Sequence, residues 1–146
     1  MVETIAPSAK PDVRPQSRCF ACGPEHPHGL HLEFAPAVAG GVGAEWVPQS
    51  DWEGWEGIIH GGIVSTVLDE AMAKAVAATS CDALTAELRV RLRHHVAPGE
   101  RLRVRGWVGT QRKRLIEAEA SLTDLDGNER AHAWASFVLV KTQVQS

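Results

Sequence analysis

The sequence predicts an α+β fold in which an antiparallel β-sheet curls around one central α-helix. One observation is the stretch after Gly62, which runs to Ser80 without proline or glycine and is rich in alanine, so it favours a helix. A second is the series of alternating apolar and polar residues before and after it, which indicates strands. A third is the absence of internal repeats or a linker, and the 146 residues suffice for one domain with its own core.

The composition excludes several classes of protein. A formal net charge of −3 argues against a nucleic-acid-binding protein, because phosphate backbones attract basic surfaces. No apolar run approaches membrane-spanning length, and the N-terminus lacks a signal-peptide pattern. Cys19, Cys22 and Cys81 are an odd number of cysteines, which fits a reducing compartment better than a disulfide framework. We therefore expect a cytoplasmic protein without nucleic-acid or membrane partners.

The first 18 residues mix polar side chains with three prolines, which is typical of a flexible leader. Residues 19–146 are then the domain proper. It opens with Cys19 and Cys22, whose spacing is that of half a zinc site, and three histidines follow. A structural zinc site normally has two ligand pairs, and the sequence holds no second cysteine pair. We therefore favour a short turn that packs small residues and expect no metal, with a zinc-stabilised interaction module as the alternative.

Two strands are predicted ahead of the helix. Residues Leu30–Phe34 alternate between apolar and polar side chains and indicate the first strand. A turn at Gly40-Gly41 leads to the second, Val42–Val47. The loop that follows carries Trp52 and Trp55. These tryptophans either line a binding pocket or plug the end of the helix.

The central helix combines an apolar surface with two acidic residues. Its apolar positions follow the helical period and cover most of the circumference, so the helix should be buried: Val64, Val67, Leu68, Ala71, Met72, Ala75 and Val76. Asp69 and Glu70 lie in its middle, where a buried carboxylate without a partner is costly. Adjacent helix positions point about 100° apart, so at most one of the two faces a site squarely.

The residues at the start of the helix suit a negative charge. Gly61 and Gly62 allow close approach of the backbone and leave free N–H groups at a helix N-terminus, where anions are stabilised. A group of donors at this point and an acid about two turns later indicate acyl-transfer chemistry.

Four alternating segments follow the helix. In the first of them an apolar set points to one side: Leu84, Ala86, Leu88, Val90 and Leu92. The polar set points to the other side: Thr85, Glu87, Arg89, Arg91 and Arg93. Turn signals at Pro98-Gly99 and Asp126-Gly127, and a basic hairpin tip at 111–114, separate the remaining strands. Small residues on the last two strands would let the sheet approach the helix closely: Ala118, Ala120, Ala131, Ala133 and Ala135.

Together these motifs resemble those of the hotdog-fold acyl-CoA thioesterases, in their phenylacetate-type (PaaI-like) branch. The most specific part is His60-Gly61-Gly62 followed by Leu68-Asp69-Glu70-Ala71-Met72. Weaker matches are the cysteine segment at 19–30 and the turn at 96–100. The likeness runs from about residue 19 to residue 141.

The resemblance implies an assembly and a reaction. The assembly is a homodimer, or a dimer of dimers, in which the sheets are continuous and each site takes residues from both subunits, so an isolated protomer should be inactive. The substrate is an acyl-CoA or arylacyl-CoA, which water cleaves to the free acid and CoA without any other cofactor. Within the motif, His60 would hold the loop by hydrogen bonds, and Glu70 would support the site or an interface.

The resemblance also assigns the reacting groups. Asp69 would be the general base for water or the nucleophile that forms a mixed anhydride, and the sequence leaves both routes open. The Gly61 N–H would stabilise the oxyanion, and Thr85 would orient the water or the substrate. As alternatives, Asp69 pairs with Lys74 or an arginine on a half-exposed face, Gly61 serves only a tight turn, and Thr85 is merely a strand former.

A set of basic residues would hold the phosphates of CoA, because guanidinium groups suit phosphate oxygens: Arg91, Arg93, Arg112, Lys113 and Arg114. The first two share the side of the strand predicted for Thr85, so they would lead away from the site. Alternatively the arginines pair across strands with Glu117 and Glu119. The alternative for the whole protein is a non-catalytic acyl-CoA binding or sensing protein on the same fold.

Overall fold

The computed structural model describes residues 16–79 and 82–140. It contains the helix α1, Gly61–Ala77, a 3₁₀ turn at Ser50–Trp52, and six strands in one sheet. The strands are β1 Ala35–Pro36, β2 Val42–Trp46, β3 Ala83–Leu92, β4 Leu102–Arg112, β5 Leu115–Asp124 and β6 Glu129–Leu139. The leader predicted at residues 1–18 lies almost entirely outside the described residues. Within the described ranges, no helix combines the length and the apolarity that a membrane crossing requires.

The sheet has the strand order β1-β2-β4-β5-β6-β3, and every neighbouring pair is antiparallel. The strand β3 follows the helix in sequence but joins the far side of β6, so it forms one edge of the sheet. All of the strands except β1 contact α1. An antiparallel sheet wrapped around one helix is the predicted hotdog arrangement, and this fold prediction is confirmed.

The helix lies in the centre of the core. Val67, Leu68, Ala71 and Met72 have no exposed surface, as the apolar period predicted. The sheet meets this face with small residues, including Ala120 and Ala133, which are fully buried. The closest approach is at Gly106 in β4, where a Cβ atom would lie 2.3 Å from the carbonyl oxygen of Ala71.

The prediction of a first strand at Leu30–Phe34 is wrong, although alternate side chains of this segment are buried as the pattern predicted. Leu30, Leu32 and Phe34 are buried while His31 and Glu33 are exposed. The backbone pairs with the preceding loop instead of the sheet, since the Leu30 N–H donates to the Phe20 carbonyl at 2.8 Å and the Leu32 N–H to the Ala21 carbonyl at 2.9 Å. His31 also has a φ of 53°, which interrupts an extended strand.

The strand β3 contains a bulge that changes which side chains share a face. Thr85 lies opposite Phe137 on β6, whereas Glu87 lies opposite Ser136, so Ala86 is an extra residue. The extra residue therefore changes which side chains face the helix: odd-numbered residues do so before the bulge, and even-numbered residues do so after it. Because opposite residues of an antiparallel pair share a face, Thr85 points to the same side as buried Phe137, towards the helix.

The bulge overturns the prediction that Thr85 and the arginines of β3 lie on one side of the sheet. Arg89 lies opposite Trp134 and Arg91 opposite His132, on the outer face. Leu88, Val90 and Leu92 lie opposite buried alanines of β6, so they share the helix side with Thr85. The prediction failed because strict alternation was assumed along the whole strand, and an extra residue leaves no mark in an alternating sequence.

Candidate active site

The fold brings Asp69 and Thr85 into direct contact. Asp69 lies in the middle of α1 and is half-buried, and its Oδ1 atom accepts a hydrogen bond of 2.8 Å from the Thr85 hydroxyl. The bulge in β3 makes this contact possible because it turns Thr85 towards the helix. Burial raises the pKa of the Asp69 carboxyl, and the hydrogen bond from Thr85 offsets part of that rise.

The predicted alternative for Asp69, an ion pair with Lys74, is not what the structure has. The Nζ atom of Lys74 lies 3.8 Å from an oxygen of Glu70 instead. Among the described residues, Asp69 makes no ion pair with an arginine either. Its carboxylate is therefore oriented by a neutral hydroxyl and not neutralised by a cation, which leaves it able to accept a proton.

Among the residues that the structure describes, the backbone amides at the start of α1 are all hydrogen-bonded except that of Gly61. The Gly62 N–H donates to Nδ1 of His60 at 2.9 Å, and the Ile63 and Val64 amides donate to the His60 carbonyl. Within the part of the chain that the structure describes, the Gly61 N–H makes no hydrogen bond. A free amide at a helix N-terminus is a donor for a developing negative charge.

His60 caps the helix with its side chain. Because its Nδ1 atom accepts the hydrogen bond from Gly62, the proton of the neutral ring is on Nε2. The backbone on either side is also fixed, since the His60 N–H donates to the Trp52 carbonyl at 2.9 Å. Among the described residues, the ring accepts one hydrogen bond, from the first turn of the helix, and the backbone hydrogen bonds of His60 fix the loop before it.

Gly61 and Asp69 cannot serve one carbonyl group within a single chain. They are eight positions apart on one helix, which at 1.5 Å per residue separates them by about 12 Å. A site that uses both groups therefore needs the amide from one copy of the chain and the carboxylate from another. The free edge of the sheet is suited to such a contact, because Leu84, Leu88 and Leu92 of β3 are exposed.

A cavity of about 300 Å³ adjoins the free amide. Its walls are mainly aliphatic and include Ile59, Val64, Leu92 and Val96, and Arg93 adds a positive charge. The tryptophans of the preceding loop do not line it. Trp52 stacks on Trp46 with 6.3 Å between ring centroids, and the side chain of Trp55 is 84% exposed. Trp52 packs against the core and also borders a different cavity, lined by residues of the cysteine segment such as Phe20 and Leu30.

The basic residues predicted to hold phosphates lie in different places. Arg93 pairs with Glu129 at 3.0 Å, and Arg114 donates to the Leu139 carbonyl at 2.9 Å. Arg112 and Lys113 are exposed at the hairpin tip between β4 and β5. Arg91 is on the outer face of the sheet, as described above.

The predicted pairing of arginines with Glu117 and Glu119 does not occur among the described residues. Glu117 accepts a hydrogen bond from the Thr110 hydroxyl at 3.2 Å. Glu119 lies 2.8 Å from Nε2 of His132. Arg93 pairs with Glu129, on the neighbouring strand β6, and Arg130 pairs with Glu100.

A second cluster of reactive side chains is built around Glu70, the residue after Asp69 on α1. The Sγ atom of Cys19 donates to Glu70 at 3.9 Å, and Cys22 lies beside them, with burial raising the pKa of its thiol to about 11. The sequence gives no indication that the two cysteines meet Glu70. No local pattern connects them, because 51 positions separate Cys19 from Glu70.

Comparison with known proteins identifies the family. A family model described as the thioesterase superfamily matches residues 56–131, which is just over half of the chain. The chain belongs to the thioesterase superfamily. The matched region begins before the free amide of Gly61 and contains Asp69 and Thr85. No curated protein matches the chain.

Solved structures of this superfamily share the fold. A thioesterase superfamily protein superposes with a TM-score of 0.79 at 22% identity, over 84% of this chain and 63% of the other, so this chain spans less than two thirds of that protein. A hypothetical thioesterase from Streptococcus pneumoniae with coenzyme A has a TM-score of 0.69 at 16% identity, over 75% and 85% of the two chains. The E. coli PaaI protein, from the phenylacetic acid degradation operon, also has a TM-score of 0.69, at 15% identity over 75% and 83%.

Proposed function

We propose that this member of the thioesterase superfamily is an acyl-CoA thioesterase of the PaaI-like branch. It hydrolyses an acyl or arylacyl thioester to the free acid and CoA. The observation that carries the proposal is the Asp69 carboxylate, half-buried, held by the Thr85 hydroxyl at 2.8 Å and without a cationic partner among the described residues. A carboxylate in this state is suited to remove a proton from water or to attack a thioester.

The reaction needs three functions, and the chain offers a group for each. The Gly61 amide donates to the thioester oxygen and stabilises its negative charge as the tetrahedral intermediate forms. In one route Asp69 takes the proton of the attacking water, whose oxygen bonds to the carbonyl carbon, and the bond from carbon to sulfur then breaks to give the free acid. In the other route an oxygen of Asp69 bonds to that carbon and the bond to sulfur breaks to give a mixed anhydride, which water then hydrolyses to the free acid and the Asp69 carboxylate. In both routes the CoA thiolate is the leaving group and takes up a proton. Thr85 fixes the rotamer of Asp69 throughout.

The active site on this proposal lies between two protomers. The separation of about 12 Å between Gly61 and Asp69 along one helix supports it. So does the unpaired edge of β3, because a free strand edge pairs readily with a second copy of itself. We therefore propose a homodimer as the smallest active unit, with a dimer of dimers as the larger form.

Coenzyme A is the proposed carrier of the acyl group. The hypothetical thioesterase from Streptococcus pneumoniae, which shares the fold, was solved with coenzyme A. It was also solved in two variants, in which alanine replaces one threonine or one aspartate. In that protein the two residues are 16 positions apart, the separation between Asp69 and Thr85 here. The cavity beside Gly61 would take part of the ligand, with Arg93 at its wall.

The phosphates of coenzyme A are proposed to meet basic residues outside that cavity. Arg112, Lys113 and Arg114 form the exposed hairpin tip, and Arg93, just after β3, lines the same cavity as Gly61. Arg91 stays in the proposed set, although it lies on the outer face. We also propose that the protein works in the cytoplasm, without nucleic-acid or membrane partners, on the strength of its odd number of cysteines and its net charge of −3.

Replacing Asp69 tests the proposal. We expect Asp69→Asn to lower kcat for a cleaved acyl-CoA by about 10²- to 10⁴-fold, because the amide cannot accept the proton, while CoA binding stays nearly unchanged. Turnover of short, medium, long and aryl acyl-CoAs is followed by free-thiol detection, and binding by calorimetry. Asp82→Asn is the matched control, since Asp82 is exposed. If the wild type binds CoA but cleaves none of the panel, the non-catalytic binding or sensing protein is the correct alternative.

A further inference from the structure

We propose that Cys19, Cys22 and Glu70 bind a zinc ion that fastens the N-terminal segment to the central helix. One ligand atom from each residue lies within 4.8 Å of the others, and Cys22 is buried. The cluster is separate from the contact between Asp69 and Thr85, so this inference stands independently of the proposed thioesterase activity.

The spacing of the three ligand atoms is close to that of a metal site. Zinc binds sulfur at about 2.3 Å and carboxylate oxygen at about 2.0–2.2 Å, so tetrahedral ligands lie about 3.6–3.8 Å from each other. The Sγ atom of Cys19 is already 3.9 Å from Oε2 of Glu70. The remaining separations are at most 4.8 Å, so a bound zinc ion would draw the three ligand atoms together by about 1 Å.

A tight backbone turn places both cysteine sulfurs near Glu70 of the helix. The Gly23 N–H donates to the Cys19 carbonyl at 2.7 Å, which closes the turn. A Cβ atom on Gly23 would lie 2.5 Å from the Cys19 nitrogen and 2.6 Å from the Ser17 carbonyl oxygen. Only glycine fits this position, so the pairing of the cysteines depends on Cys-x-x-Cys-Gly as a unit.

The donor set and the charges favour zinc. Two thiolates select zinc over the hard cations magnesium and calcium, which prefer oxygen ligands alone. Two thiolates and one carboxylate around a doubly charged ion carry one net negative charge. Lys74 balances that charge, because it is only 5% exposed and its Nζ atom lies 3.8 Å from the second oxygen of Glu70. Cys19 is half-buried, so solvent reaches the fourth position.

The test measures metal binding by the full-length protein. Zinc content is determined after growth in zinc-supplemented medium, and the chelator-treated wild type is then titrated with cobalt(II) as a spectroscopic probe. We expect about one zinc per chain, and cobalt absorption bands from thiolate charge transfer and tetrahedral coordination. The wild-type titration needs no variant, so it decides the matter even if a substitution prevents folding.

Substitutions then assign the ligands. Cys22→Ser should weaken the thiolate band and abolish zinc retention, whereas Glu70→Gln should keep two thiolates on cobalt but bind it more weakly. Glu25→Gln is the matched control. Glu25 is exposed in the same segment, so this substitution removes one negative charge without removing a ligand. Asp69→Asn should retain zinc fully. A wild type with neither zinc nor a cobalt–thiolate band overturns the proposal, as does a Cys19–Cys22 disulfide in freshly purified protein, or a Glu70→Gln variant with unchanged affinity.

Discussion

The hydroxyl of Thr85 donates a hydrogen bond to the carboxylate of Asp69, and on the proposed function it orients that carboxylate. We expect Thr85→Val, which keeps the shape of the side chain, to lower kcat. A hydrogen bond to a charged group contributes about 1.5–3 kcal/mol, so the loss should be roughly 10- to 150-fold. Steady-state kinetics on the best substrate of the panel measure it.

Thr85→Ser is the control because it keeps the hydroxyl. It should retain most of the wild-type kcat, while Thr85→Val loses activity without a large change in melting temperature. Equal activity of the two variants would show that Thr85 acts only as a strand former.

Glu129 gives the stability of the protein a dependence on pH. Burial alone would raise the pKa of this carboxyl, but hydrogen bonds with His132 and Ser121 and the charge of Arg93 outweigh it and lower the pKa below 4.5. A lowered pKa in the folded state stabilises the protein above the unfolded value, and this stabilisation is lost as the pH falls through the folded value. We expect Glu129→Gln to lower the melting temperature at pH 7 and to have less and less effect as the pH falls below 4.5.

Thermal melts of both proteins between pH 7 and pH 3 measure this difference. A gap that stays constant over the whole range would mean that Glu129 contributes through packing and not through its charge.

At the scale of single elements, the approach of β4 to α1 depends on the missing side chain of Gly106. A methyl group there would lie 2.3 Å from the Ala71 carbonyl oxygen, which is backbone and cannot rotate away. We expect Gly106→Ala to lower the free energy of unfolding by about 1–3 kcal/mol, the usual cost of overpacking a core. Urea denaturation measures it.

Gly109 is the matched control on the same strand. A Cβ atom at Gly109 would be 3.5 Å from its nearest neighbour, the Glu117 carbonyl oxygen, which is an ordinary contact. Gly109→Ala should therefore leave the stability nearly unchanged. Similar losses for both variants would point to backbone flexibility, and not to the close approach, as the cause.

Elements with a clear period were predictable from the sequence. The apolar period of α1 placed a buried helix within a few residues of its bounds, Gly61–Ala77, because packing and helix propensity agree there. The alternation at 30–34 indicated burial correctly but the wrong partner, since alternation reports which side chains are buried and not where the backbone bonds. The bulge at Ala86 was not predictable. The side of the sheet on which Thr85 lies was therefore not predictable either.

The candidate site was also predictable only in part. Gly61, His60 and Asp69 lie in one short motif of the sequence, so chemistry and resemblance could both point to them. The meeting of Glu70 with the cysteines depends on how the N-terminal segment folds onto α1, over 51 positions of chain. This is why the expectation of no metal, which depended on the lack of a second cysteine pair, did not consider Glu70.

At the scale of the whole molecule, the proposed site predicts that two defective chains can repair each other. Gly61→Pro removes the amide donor at the first helical position, where proline is tolerated, and should lower kcat by about 10²- to 10³-fold. In a hybrid dimer of Gly61→Pro with Asp69→Asn, one site carries both defects and the other carries neither. We expect hybrids purified with two different tags to have about half of the wild-type rate.

Each variant alone should remain nearly inactive in the same assay. Gly61→Ala is the control for the added side chain, because it keeps the amide, and its Cβ atom meets only the flexible end of Leu92 at 2.9 Å. Hybrids without recovered activity would mean that each site is built from a single chain.

The exposed edge of β3 also bears on how the protein is made. A newly folded chain presents unpaired backbone groups flanked by Leu84, Leu88 and Leu92, and such an edge accepts foreign strands as readily as a second copy of its own chain. In the dimer that we propose, pairing of this edge with a second copy competes with aggregation. Expression at low temperature should therefore improve the yield of folded protein.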